Sequence, residues 1–80
     1  MITVHVRYFA LMREQRGLSA EEVRTTASTP RALYGELQRT HGFTLHLEQL
    51  KVAINETFGD WDTPLSEGDT VVFVPPVAGG

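Results

Sequence analysis

Ile2, Val4, Val6 and Tyr8 alternate with Thr3, His5 and Arg7, the period-two pattern of a strand with one buried face. The rhythm changes over residues 9–16, which predict a short helix, and Gly17 stands where a C-terminal glycine cap belongs. Residues 22–26 form a second, weaker strand signal. At Thr29 and Pro30 a helix start is written in full, with a hydroxyl at the N-cap and proline at the first helical position. Leu33, Leu37 and Thr40, with Tyr34 alongside, then recur at helical spacing until Gly42 stops the run. Residues 43–50 carry Leu45, Leu47 and Leu50 and read either as an anchored loop or as a turn of helix. Residues 51–55 predict a buried strand, and Thr57-Phe58 the start of another. Turns over 59–62 and 64–69 lead into a last strand, 70–74.

Strand, helix, strand, helix and then several strands is the order of an α+β domain with helices on one face of a sheet. A β-grasp is compatible with that order, which does not by itself select it. In the last strand Val71 and Phe73 point to one side, and Val72 and Val74 to the other. With helices on one face only, apolar residues on both sides predict an exposed apolar surface near the end of this strand, and such patches often mark partner sites. Phe9, Phe58, Trp61 and Phe73 are the aromatics available for the core or for such a patch; Trp61 also has the residue type of an interface anchor.

The 80 residues suffice for one core and no second domain, burying about 60–65% of the surface of the unfolded chain. Apolar residues make up 41% and charged residues 21%, an ordinary balance for a globular protein. A net charge of −3 with the signs scattered argues against nucleic acid as the partner. No apolar run is long enough for a membrane span, and the alternating first residues do not form a signal-peptide core, so a cytoplasmic protein is expected. Cysteine is absent, which removes disulfides, thiolate metal sites and any thiol on which to carry sulfur. A single lysine, Lys51, leaves one attachment point for chain-forming conjugation.

The chain closes on Val74-Pro75-Pro76-Val77-Ala78-Gly79-Gly80. Pro75 and Pro76 fix φ and lack an N–H, so a central strand cannot continue through them, and a Pro-Pro step favours an extended path away from the domain. Ala78, Gly79 and Gly80 add almost no side chain, making a thread able to enter a narrow channel in a partner. We therefore expect a domain over 1–74 and a flexible tail over 75–80 whose terminal carboxylate is the reactive group. No other site competes. His5, His41 and His46 lack the close spacing of a zinc site, so no metal is expected. Asp60 and Asp62 flank Trp61 in a turn, where turn chemistry explains them better than acid–base work. There is no nucleophile elbow and no phosphate-cradling glycine loop.

Residues 8–14 (Tyr-Phe-Ala-Leu-Met-Arg-Glu), 52–57 (Val-Ala-Ile-Asn-Glu-Thr) and 65–80, above all the run from the Gly68-Asp69 turn through Pro75-Pro76 to Gly79-Gly80, resemble the small subunits of molybdopterin synthase. These are ubiquitin-like sulfur carriers with a β-grasp fold, a mixed sheet with helices packed on one face. Ala78 stands where threonine is common and Val74 where an aromatic is frequent; neither change touches the reactive end.

The resemblance implies that an E1-like adenylating enzyme, using ATP and Mg²⁺, converts the Gly80 carboxylate to an acyl-adenylate. A persulfide sulfur then leaves a C-terminal thiocarboxylate. Docked in the large subunit of the synthase, in a heterotetramer of two small and two large subunits, it donates sulfur to cyclic pyranopterin monophosphate. The dithiolene of molybdopterin needs two sulfurs, hence two carrier turns. The carrier is consumed and recharged, and it binds no cofactor of its own. Gly79, Ala78 and Val77 thread the partner, Pro76 and Pro75 aim the thread, and Phe9, Phe58 and Val74 form the shared docking patch. Three other readings stay open. The first is a carrier of the same design serving thiamine, a cysteine or methionine route, or tRNA thiolation. The second is a ubiquitin-like modifier conjugated to lysines of other proteins, and the third is a plain binding module whose terminus is idle.

Overall fold

A computed structural model of the protein describes residues 1–76. The chain runs β1 (Ile2–Tyr8), α1 (Ala10–Arg16), β2 (Ala20–Thr25), α2 (Pro30–His41), a 3₁₀ turn (Leu47–Gln49), β3 (Lys51–Ile54), β4 (Thr57–Gly59) and β5 (Thr70–Val74). The five strands form one mixed sheet in the order β2-β1-β5-β3-β4. β1 and β5 lie parallel at its centre, with His5 beside Thr70 and Tyr8 beside Phe73. The other pairings are antiparallel. This is the α+β, β-grasp arrangement expected from the sequence.

The alternation in β1 buries Val4, Val6 and Tyr8, and that in β5 buries Val71 and Phe73. α2 covers this face with Leu33, Tyr34 and Leu37, and α1 adds Met12. Fully burying each such side chain contributes about 1.5–3 kcal/mol. The core is held in register by aromatics. Tyr34 lies 5.2 Å from Phe73, and Tyr8 5.5 Å from Phe43, both in tilted contact.

α2 starts and stops as the residues dictate. Thr29 Oγ1 accepts from the Ala32 N–H at 3.2 Å, Pro30 opens the helix, and Gly42 closes it at φ 72°. Three details differ from the sequence reading. Phe9 does not begin α1; it holds extended backbone (φ −130°, ψ 155°) as the N-cap. β2 starts at Ala20, because pairing with Arg7 extends it beyond what its own residues signal. Thr40 faces solvent and donates its hydroxyl to Glu36 O at 2.9 Å, so the buried stripe ends at Leu37. Trp61 packs flat on Phe73, with centroids 5.9 Å apart and planes 8° apart, and tilts against Tyr34. Half-buried, it extends the core at its edge, which favours the core alternative that the sequence left open beside an interface role.

Candidate docking face and the strand that leads to the C-terminal segment

The Asn55–Asp69–Thr70 cluster sets where β5 begins. Asn55 Nδ2 donates to Asp69 Oδ1 at 2.9 Å, and Asn55 Oδ1 accepts from the Thr70 N–H at 2.9 Å. Asp69 Oδ2 accepts from the Ser66 N–H, while Gly68 turns the chain at φ 84° and donates to Thr3 O. A two-residue reversal at Asn55 (φ 51°) and Glu56 (φ 71°) joins β3 to β4, the positive pair that a tight hairpin needs. So the Leu65–Thr70 stretch pins one end of β5, and Pro75 and Pro76 end it at the other.

The face of the sheet away from the helices carries the exposed apolar residues. Cross-strand registers place Phe58, Ala53, Val72, Arg7 and Ala20 in one row across all five strands. Phe58 is 67% exposed on the short edge strand β4. Val74, half-buried, pairs with Lys51 one row further along. Because Phe9 continues β1 in extended form one step past Tyr8, its ring emerges on this same face, 42% exposed. The Arg7 guanidinium carbon lies 6.0 Å from the Phe9 ring centroid, a cation–π contact. Ala10, next to Phe9, takes φ 51°, a strained value for alanine that turns the chain sharply from strand into helix.

Phe9, Phe58 and Val74, the three residues named from the sequence, lie on the same face of the sheet. Pro75 is half-buried and Pro76 exposed, and both line a groove with Gln49, Lys51 and Val74. Val77, Ala78, Gly79 and Gly80 lie outside the described residues.

One polar cluster escaped the sequence reading. Glu21 accepts from Arg16 Nε and Nη2, both at 2.8 Å, and from the Tyr8 hydroxyl at 2.7 Å, with His41 Nε2 at 3.9 Å. The Arg16 hydrogen bonds hold the Glu21 carboxyl below its usual range, and burial pushes the Tyr8 hydroxyl upward. Only the register reveals it: Glu21 occupies an inward position of β2, opposite Val6, where an apolar residue is the norm. The cluster links the C-terminal ends of α1 and α2 to the sheet on the face opposite Phe9, Phe58 and Val74. Asp62 is held in a two-bond ion pair with Arg31 at 2.9 and 3.1 Å, as befits a turn. Among the described residues no three His, Cys, Asp or Glu side chains gather around a metal position, and no helix is long and apolar enough to cross a membrane.

Comparison with known proteins agrees with this geometry. The chain is 39% identical over 80 residues to the molybdopterin synthase sulfur carrier subunit of Escherichia coli, covering 96% of this chain and 99% of that one. It superposes with TM-score 0.70 and 29% identity on a chain of the complex of subunits 1 and 2 of molybdopterin-converting factor from Helicobacter pylori, covering 99% of this chain and all of that one. The small archaeal modifier protein 1 of Haloferax volcanii shares the fold at TM-score 0.81 and 18% identity, over 96% of this chain and all of that one. Residues 6–80 match the ThiS family, and the chain belongs to it.

Proposed function

We propose that this protein is the sulfur carrier subunit of a molybdopterin synthase, working in the cytoplasm, with Gly80 as the residue that is activated and loaded. The observation that carries this reading is the 39% identity to a sulfur carrier subunit across 99% of that protein's length. The geometry is consistent with it. β5 ends in Pro75-Pro76 beside the face that bears Phe9, Phe58 and Val74. A partner seated on that face receives the residues after Pro76 in the same event.

The chemistry follows from what a carboxylate lacks. It is a poor acyl donor, so an E1-like partner with ATP and Mg²⁺ joins the Gly80 carboxylate to AMP and releases pyrophosphate. A sulfur nucleophile then displaces AMP, and one sulfur replaces one oxygen at the C-terminus. The resulting thiocarboxylate sulfur attacks the pterin precursor held by the large subunit and displaces an oxygen from the carbon attacked. Water then cleaves the bond between that sulfur and the Gly80 acyl carbon, which leaves the sulfur on the precursor and returns the Gly80 carboxylate. Gly79, Ala78 and Val77 thread the partner's channel, and Pro75 and Pro76 aim them. The chain contributes no cofactor and no acid–base group; its residues bind, orient and carry. Docking to the two partners is mutually exclusive, since one tail cannot occupy two active sites.

The test is intact-protein mass spectrometry after incubation with the adenylating partner, ATP and a sulfur source, followed by addition of the large subunit and pterin precursor. We expect the mass change of one oxygen replaced by sulfur, its loss on transfer, and neither in a Gly80 deletion that still folds. Loading without transfer to the pterin precursor would reassign the carrier to another acceptor.

A further inference from the structure

On the basis of the carrier reading above, we infer that the docking face is a basic surface and that its partner, the large subunit, meets it with carboxylates set around an apolar centre. Arg7 and Lys51 are the residues that read them. The inference rests on the charges that the strands place on the open face of the sheet. The chain has seven cationic and ten acidic side chains. By register, the strand residues on the open face include Arg7, Arg24 and Lys51 against Glu22 alone. Four cations and nine carboxylates are left for the rest of the molecule. In a chain that is acidic overall, the strands therefore present more cations than carboxylates on the face beside Pro75.

The placement of the two cations is specific. Arg7 flanks Val72 from the β1 side, and Lys51 flanks Val74 from the β3 side, so both border the apolar row from opposite edges of β5. Arg7 is further oriented by lying over Phe9. Among the described residues neither Arg7 nor Lys51 has a carboxylate within ion-pair distance. On the helices Arg16 and Arg31 are paired with an acid while, among the described residues, Arg13 and Arg39 are not, so what sets Arg7 and Lys51 apart is their position beside the exposed apolar residues. Two unspent cations beside exposed aromatic and aliphatic groups match a partner surface of opposite sign, and such complementarity acts first on encounter rate and on choice of partner. A large subunit with a neutral or basic rim is accordingly a poor match for this carrier.

The experiment measures association of the full-length chain with the large subunit from the same organism by surface-immobilised kinetics at low and high NaCl. Arg7→Glu, Lys51→Glu and the double variant are compared with Arg7→Gln, each checked for folding by circular dichroism. We expect about tenfold weaker binding for each reversal, mostly through a slower association rate, a smaller loss for Arg7→Gln, and a wild-type affinity that falls with salt. Wild-type binding that neither salt nor the reversals alter would overturn the inference while leaving the carrier reading intact. Failure of the wild-type chain to bind the large subunit at any salt would overturn both.

Discussion

Asn55 and Thr70 bind each other twice: the Asn55 N–H donates to Thr70 O at 2.8 Å, and the Thr70 N–H donates to Asn55 Oδ1 at 2.9 Å. The hairpin turn at the end of β3 thereby holds the first residue of β5. Asn55→Gly preserves the positive φ but removes the side-chain bonds to Thr70 and Asp69. We expect a loss of about 1 kcal/mol in chemical denaturation. Unchanged stability would show that the turn's backbone, not the side chain, sets the start of β5.

Phe58 has most of its ring in solvent, so Phe58→Ala should shift folding stability by no more than about 0.5 kcal/mol. Its affinity for the large subunit should fall at least about tenfold, as for an aromatic anchor. Phe9→Ala should behave alike. Calorimetric titration decides, and intact binding by both variants would remove the open face from the interface.

Glu21 gives the fold a defined acid sensitivity. Its carboxyl is held below the unfolded value of 4.5 by Arg16, so the stabilisation is complete above that pH and fades as pH falls through the lowered folded value. Glu21→Gln should cost about 1–2 kcal/mol at neutral pH. As pH falls below 4.5 the variant's stability should fall less steeply than the wild type's. Parallel pH profiles would count against the Arg16–Glu21 contact as the cause.

Ala10→Gly sets two effects against each other. Glycine inside a helix ordinarily costs about 1 kcal/mol relative to alanine. Relief of a left-handed alanine is worth about 1–2 kcal/mol. With φ at 51° the relief should win, and we expect a net gain of about 0.5 kcal/mol by thermal melting. Destabilisation would mean that residue 10 sits in ordinary helical backbone.

Where local chemistry and burial agree, the residues announced the structure. Thr29, Pro30 and Gly42 bound α2, the alternation from Ile2 to Tyr8 marks β1, and Pro75 ends β5. The apolar face was legible because Val72 and Val74 had no second helical layer to bury them. The misreadings share one physical cause, namely partners distant in sequence. β2 borrows its first residues from pairing with β1, and Glu21 sits inward because Arg16, Tyr8 and His41 converge on it. Trp61, open between core and interface on residue type alone, is placed against the core only by its contacts with Phe73 and Tyr34. The basic character of the open face required the register, since Arg7 and Lys51 are 44 positions apart in the chain and share a surface only through β5.

The central position of β5 has a consequence for synthesis. His5 waits for Thr70, 65 residues later, before the sheet can close, so a nascent chain cut short ahead of β5 holds two separate fragments of sheet. Val72 and Val74 sit at the middle of the open face and shortly before the segment that leads to Gly80. An interrupted product that lacks β5 would thus lack the apolar centre of that face as well as the central strand of its sheet.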